Sequence, residues 1–504
     1  MTYTELMAMS PIQRFWYKLL QFLKAIPSGI GKFFCGIGRG IAKAVCGTGK
    51  AIANYFVGFV KGDIITKLSY FIMGFGNIFR GQVIKGLFFL LLEAGYALFM
   101  VLFGANYISL FFSLEADIKT TYVNYGFTTV EQTELLHTSV QILLYGLLVI
   151  MATIAFIAIY FVSVKSARNN EVIVKAGGRP ASFREEMKDM LDARFHSTML
   201  SLPIILICLF VLLPLLFMIF MAFTSFTADG ETSQNFTWVG LQNFSEIFKI
   251  SSGGAASMGV TFAKITGWTL IWAFFATFSN YILGMVVALM INKKGIKLKK
   301  LWRTMFVMSI AVPQFVTLLL IAKMLGPETN SPLNLIISMF TGETSKVALF
   351  DSALSARITV IIVNIWVGIP YTILMTTGIL MNIPEDLYES ARIDGAGPVK
   401  SFMKITLPYM IFVTTPYLIT TFIGNVNNFN IIYLVSGGNP LTNEYAGGAG
   451  KTDLLITLLF KMSVTKGYYG LGAAIGIMVF VVCATLSLIT FNMTKSAKNE
   501  EEFS

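Results

Sequence analysis

Eight long apolar stretches leave this chain few ways to fold. They run at about residues 86–112, 139–164, 198–223, 266–292, 302–326, 356–381, 409–435 and 470–493. A helix crossing the hydrocarbon layer needs about 20 apolar residues, because each residue advances only about 1.5 Å and every backbone amide must be satisfied within the helix. Every stretch meets that length. The predicted fold class is therefore all-α, a polytopic membrane protein of about eight transmembrane helices. Composition agrees: of 504 residues, 55% are hydrophobic and 13% charged, more apolar surface than a soluble core hides.

The net charge of +11 would suit nucleic acid or an anionic membrane face, and the placement of the cations decides for the membrane. Lys165, Arg168, Lys175, Arg179, Arg184, Lys188 and Arg194 lie between the second and third stretches, and Lys293, Lys294, Lys297, Lys299, Lys300 and Arg303 follow the fourth. The alternate loops hold few: Lys119, then Lys249 and Lys264, then Lys346. The positive-inside rule then predicts that both termini are cytoplasmic. Lys451, Lys461 and Lys466 stand against the rule in the last outer segment, but an even number of crossings and the basic tail at Lys495 and Lys498 uphold it.

The chain divides into a basic N-terminal segment (1–83), two membrane helices with their cytoplasmic loop (84–197), a core (198–493) containing a distinctive loop at 384–408, and a tail (494–504). In the first segment Lys32, Arg39, Lys43 and Lys50 share one helical face, which predicts a helix lying on the anionic inner leaflet and so a contact with membrane lipid. Its many glycines leave a flexible tail as the alternative. No cleavable signal peptide is read there, so the first membrane helix is expected to drive insertion. Gly47-Thr48-Gly49-Lys50 imitates a phosphate loop, but Ala44 and Ala51 occupy positions where Gly and Ser or Thr are required. The chain offers no other nucleotide cradle, so no cofactor is expected in it. Cys35, Cys46, Cys208 and Cys483 lack metal-binding spacing, and His137 and His196 have no catalytic company. No catalytic or metal residue is expected.

Between the sixth and seventh stretches the chain reads Pro384-Glu385-Asp386-Leu387-Tyr388-Glu389-Ser390-Ala391-Arg392-Ile393-Asp394-Gly395-Ala396-Gly397, then Lys404-Ile405-Thr406-Leu407-Pro408. Proline with acidic residues suits a helix start, and the glycines permit a turn into a second helix. This segment resembles the EAA loop of binding-protein-dependent ABC importer permeases, with Ser390 where the family often has alanine. The resemblance implies the type I importer permease fold, and a coupling helix that inserts into an ATP-hydrolysing partner. Glu389, Ser390, Ala391, Asp394 and Gly395 are the residues implied at that contact. ATP and Mg would then sit on a separate ATPase dimer.

The seventh stretch carries Thr414, Tyr417, Thr421, Asn425 and Asn428 at steps of three, four, four and three, on one helical side. Such groups must point into protein or a wet cavity. Two accounts remain: helix-to-helix hydrogen bonding or a solute pathway. Asn364, Gly368 and Tyr371 form a second row, and Gln314 follows Pro313. Amides, hydroxyls and aromatic faces suit a neutral polyhydroxylated solute, since ion or proton pathways use intramembrane acids or bases; Glu93 is the one plausible carboxylate at depth and reads as a local pair or a snorkelling group.

Asn425-Val426-Asn427-Asn428-Phe429, Gly437-Gly438, Asn439-Pro440 and Ile369-Pro370-Tyr371 are similar to the maltose-type permeases, over roughly residues 200–493. That resemblance implies a maltose or maltodextrin cargo and sugar contacts at Gly368, Thr421, Asn425 and Asn428, with Gln314 beside them. It also implies a second homologous permease and an extracellular solute-binding protein. Only about 40 residues separate the third and fourth stretches, which points to a Gram-positive cell membrane and a tethered binding lipoprotein. The alternatives are another oligosaccharide or polyol in the same importer class, or a secondary sugar transporter.

Overall fold

The computed structural model describes residues 55–125, 128–228, 235–250, 256–293, 295–342 and 347–493. The segment carrying Lys32, Arg39, Lys43 and Lys50, with Cys35 and Cys46, lies outside these residues, as does the tail. Among the described residues seven helices are long and apolar enough to cross a membrane, and a bent pair makes an eighth crossing if it is one span. The described chain divides into two compact units, with the boundary in sequence between Gly240 and Leu241.

In the N-terminal unit, short helices α1 (Ile64–Leu68) and α2 (Phe75–Phe79) precede the first span, α3 (Val83–Ser113). The second and third spans are α4 (Ser139–Lys175) and α6 (Phe195–Met221), joined through a short helix, α5 (Phe183–Leu191). Thr138 and Gln141 form a reciprocal cap at the start of α4, satisfying amides that the first turn leaves open. The all-helical expectation needs one addition. Strands β1 (Asp117–Tyr125) and β2 (Thr128–His137) pair antiparallel between the first two spans, in a stretch rich in β-branched residues. Phe111, Leu114, Ile142, Leu143 and Phe236 form an apolar core in this unit. No residue of α6 is fully buried; Phe217 and Phe220 near its C-terminal end pack against the core around Phe111, and most of the rest is open to lipid or another chain.

One end of this unit is held by a polar knot. Arg80, almost fully buried, donates from Nη2 to both carboxylate oxygens of Asp63 and to Thr66 Oγ1, each at 2.7 Å. Its Nη1 donates to the Ala167 carbonyl on α4. Gln82 Oε1 accepts from Asn77 and Asn170 at 2.8 Å each. Glu93, expected as a local pair or a snorkelling group, accepts from the backbone amide of Met73 at 2.8 Å.

In the C-terminal unit a short helix, α7 (Gln242–Phe248), precedes the long fourth span, α8 (Met258–Asn292). A bent pair follows: α9 (Lys299–Ile310) and α10 (Gln314–Met324) meet at 87°. Pro313 causes the break, because it has no amide to donate and its extended backbone (φ −56°, ψ 129°) ends one helix before the next begins. Then come α11 (Pro332–Thr341), the sixth span α12 (Ala353–Leu380), the loop helix α13 (Glu385–Ile393), the seventh span α14 (Pro398–Ser436), the short α15 (Leu455–Thr465) and the last span α16 (Tyr469–Met493). The central helix is α8, packed on α12 and α14 with Trp268, Trp272, Ala276 and Tyr281 buried along it.

Lysines of the segment before the last span find partners here. Asp453, 1% exposed, pairs with Lys461 at 2.6 Å, and Lys451 pairs with Glu444 at 2.6 Å. Two of the three cations that stood against the charge rule are thus held by carboxylates of their own segment.

Candidate coupling loop and solute pathway

The loop between α12 and α14 is built as its sequence suggests. Glu385 and Asp386 sit in the first turn of α13, where the helix dipole favours negative charge, and Arg392 sits in the last. Gly395 has φ +73°, a left-handed conformation nearly free for glycine and costing other residues about 1–2 kcal/mol. It closes the helix: its amide donates to the Arg392 carbonyl at 3.0 Å and the Ala396 amide to the Ala391 carbonyl at 2.8 Å, the paired bonds of a glycine C-cap. Tyr388 Oη shares a 2.8 Å hydrogen bond with Thr406 Oγ1 at the base of α14, fixing α13 to the span. Glu389, Ser390, Asp394 and Gly395 are exposed and Ala391 half-buried, while Ile393 and Val399 stand 87% and 76% exposed. The loop is a rigid projection with an apolar tip and charged flanks.

The residues expected along a pathway separate into two groups. Asn425, Asn364 and Gly368 are engaged against α8 instead of facing a cavity. Asn425 Nδ2 donates to Thr277 Oγ1 at 3.0 Å, and its carbonyl accepts from Trp272 Nε1. Asn364 donates to the Ala276 carbonyl at 3.2 Å. A Cβ on Gly368 would come within 2.3 Å of the Asn280 amide, so that glycine admits α8 to close approach. Thr414 likewise meets Tyr281 Oη at 2.8 Å. For Asn425, Asn364 and Thr414 the physical reason is common: polar groups on buried helix faces satisfy one another across the contact.

Gln314 and Tyr371 behave differently. Both are exposed and line one cavity of about 590 Å³, between the bend of α9 and α10 and the middle of α12. Trp302, Phe306, Trp366, Ser309 and Thr317 line it with them. The two tryptophans were not singled out from sequence, where isolated aromatics in apolar stretches look like any lipid-facing residue. Their signal was position: Trp366 stands one turn after Ile362 and one before Pro370, on the side where α12 meets the bend. Tyr417 and Thr421 on α14 are half-buried. Asn428 caps the turn beyond the break at Asn427, its Oδ1 accepting from the Ile431 amide at 3.3 Å. This volume suits a small ligand, and its mix of aromatic faces with a few amides and hydroxyls suits an uncharged polar one. Among the described residues no group of three or more His, Cys, Asp or Glu is arranged to hold a metal ion.

Comparison with known proteins fixes the setting of this geometry. The profile of the family described as binding-protein-dependent transport system inner membrane component matches residues 280–498. The galactooligosaccharides transport system permease protein GanP of Bacillus subtilis (strain 168) is 31% identical over 439 residues, which cover 86% of this chain and 99% of that protein. The chain belongs to the binding-protein-dependent transport system inner membrane component family. A second relative of this family, the maltodextrin transport system permease protein MdxF of the same organism, is 30% identical over 437 residues, covering 85% and 95% of the two chains. A solved structure of a bacterial alginate ABC transporter in complex with alginate pentasaccharide-bound periplasmic protein aligns with a TM-score of 0.50 at 21% identity, over 61% of this chain and 96% of that one; that likeness concerns the fold. As a member of the inner membrane component family, the chain is a multi-pass membrane protein working in transport.

Proposed function

We propose that this chain is one permease subunit of an ATP-driven importer that moves neutral oligosaccharides of the maltodextrin or galactooligosaccharide kind across a cell membrane. The observation that carries the cargo is the cavity at the bend: Trp302, Trp366 and Tyr371 offer flat faces for sugar rings, and Gln314, Ser309 and Thr317 offer hydrogen bonds, with no charged side chain lining it. A phosphorylated or acidic solute would call for Arg or Lys there. Both relatives matched over most of their length are named for oligosaccharide transport, which supports the class and leaves the choice between the two sugars to experiment. Tyr417, Thr421 and Asn428 continue the polar path along α14, while Asn364, Gly368 and Asn425 hold the helices behind it.

The projecting α13 supports the second half of the reading, a coupling surface for an ATPase dimer that binds ATP and Mg. An external binding protein would deliver the sugar, and a second homologous permease would complete the pathway, with both termini on the ATPase side. The cell would be Gram-positive and the binding protein a tethered lipoprotein. Alternating access then needs no chemistry from this chain: closure of the ATPase dimer moves α13, and α14 carries that motion to the pathway.

The test is sugar uptake and binding-protein-stimulated ATP hydrolysis in proteoliposomes holding the assembled complex. Gly395→Pro should abolish stimulation, because proline cannot adopt φ +73° and supplies no amide for the Arg392 carbonyl. Trp366→Ala should leave ATP hydrolysis coupled to the binding protein while uptake falls about tenfold or more, the equivalent of one lost stacking contact of about 1.4 kcal/mol. Unchanged uptake in both variants would sink the proposal.

A further inference from the structure

We propose that α5 is an interfacial helix that lies in the headgroup layer of the leaflet from which the first and third spans start, and binds anionic phospholipid there. Phe183, Met187, Met190 and Leu191 recur at steps of four, three and one, the pattern of a single helical face. All four are exposed, between 40% and 62%. On a nine-residue helix in water such a face has no reason to exist, since exposed Phe, Met and Leu contribute nothing to its stability.

The depth of the helix is set from both ends. Leu191 lies four residues before Phe195, the first residue of α6, whose open apolar surface continues through the membrane. Toward its other end, α5 is tied to the start of the first span. Glu186 pairs with Lys85 in the opening turn of α3 at 2.6 Å. Gln82, the residue capping α3, donates to the Ala181 carbonyl at 2.8 Å and to Glu186 Oε1 at 3.1 Å. A helix anchored to the beginnings of two membrane spans sits at the membrane surface, and the apolar stripe is what such a helix puts into the boundary between headgroups and acyl chains.

Charge identifies the lipid. Arg184 and Lys188 border the stripe along one side, both exposed, with no ion pair among the described residues. The other basic groups nearby already hold carboxylates: Arg179 meets Glu185 at 3.3 Å, and Arg194 meets Asp189. Two free cations beside an apolar stripe at the headgroup level match phosphate-bearing, negatively charged lipid. A soluble partner would have to cover the stripe while the bilayer stood against it.

The experiment places an environment-sensitive fluorophore on Met187→Cys, and separately on Lys188→Cys toward the polar side, in a cysteine-free form of the full chain within the assembled transporter. The vesicles are phosphatidylcholine with or without phosphatidylglycerol. The label at 187 should be quenched by a spin label near the lipid headgroup and be shielded from aqueous iodide, whereas the label at 188, at the boundary of headgroups and water, should be reached by both quenchers. Replacing Arg184 and Lys188 by glutamate in the Met187→Cys chain should raise iodide quenching about twofold or more in vesicles with phosphatidylglycerol, and little in those without. Iodide quenching at 187 equal to that at 188 would overturn the proposal, as would a label at 187 reached by neither quencher, since a protein subunit would then be covering the face. The readout is fluorescence quenching, so loss of sugar transport would not be mistaken for loss of lipid contact.

Discussion

Arg80 shows how much one buried side chain can organise when both of its terminal nitrogens are engaged. Its planar fork reaches Asp63, Thr66 and the Ala167 carbonyl together, a geometry that lysine cannot copy with a single ammonium. Arg80→Lys should therefore destabilise almost as much as Arg80→Ala, each by about 3 kcal/mol, read as a lowered thermal midpoint of the detergent-solubilised protein; full rescue by lysine would mean that charge alone matters. Burial opposes ionisation of Asp63, but hydrogen bonds from Arg80 and Thr66 and the guanidinium charge outweigh it and bring the carboxyl from 3.8 to about 2. Because the folded value is the lower one, this contribution is complete above the ordinary carboxylate range and disappears as pH falls from about 4 through 2. The stability difference between the native chain and Asp63→Asn should accordingly be flat from about pH 5 to 8 and shrink below about pH 4. A difference that kept its size at low pH would show that Asp63 acts through packing. In the core, Gly368→Ala should destabilise by about 1–3 kcal/mol by displacing Asn280, whereas Gly378→Ala on the same helix meets no atom within 4 Å and should be silent or stabilising. Sequence marked Gly368 and Asn425 as special by their place in polar rows, but a row shows only which face is polar. What covers the face depended on Thr277, Asn280 and Tyr281 of α8, which spacing alone could have flagged and an apolar average concealed.

At the scale of elements, α13 and its glycine cap make the coupling reading sharper than a loop motif could. Gly395→Ala keeps the amide and meets no neighbour, so its only penalty is the left-handed backbone. Binding-protein-stimulated ATP hydrolysis should fall about three- to tenfold with alanine and vanish with proline, and equal loss with both would point to the side of the loop and not its geometry. The bend at Pro313 makes a parallel case. Pro313→Ala restores the missing donor and lets α9 and α10 straighten toward one helix, closing the cavity between them and α12. Uptake should fall with the protein still folded by circular dichroism; undiminished uptake would detach the cavity from the pathway. The spans themselves were legible because hydrocarbon imposes one length and one hydrogen-bonding pattern, and their observed ends fall within about eleven residues of those expected from hydropathy, the largest excesses being the charged extension of α4 and the early start of α14 at Pro398. The hairpin of β1 and β2 was not, since a hydropathy reading treats any polar stretch between two spans as loop.

Across the whole molecule the number of crossings decides which surfaces share a side. If the bent pair of α9 and α10 crosses the membrane, four spans separate the loop around Arg179 to Arg194 from α13, and both face one compartment. If the pair enters and returns on the same side, the two face opposite compartments. The charges favour the crossing, for Lys297, Lys299 and Lys300 before the pair, Arg179, Arg184 and Lys188 in the earlier loop, and Arg392, Lys400 and Lys404 near α13 then all lie on the cytoplasmic side. Lys451 and Lys461 still count against it, although each is held by a carboxylate of its own segment, Glu444 and Asp453. An impermeant maleimide applied to intact cells should therefore label a cysteine placed at Glu131 in the hairpin, and should leave cysteines at Lys188 and Lys400 unlabelled until the membrane is opened. Labelling at Lys400 as well as Glu131, with Lys188 protected, would make the bent pair re-entrant and put α13 outside, beyond the reach of any cytoplasmic ATPase. Labelling at both Lys188 and Lys400, with none at Glu131, would invert the chain and remove the coupling role of α13 by the same reasoning, because a helix can transmit ATP-driven closure only on the side where ATP is hydrolysed.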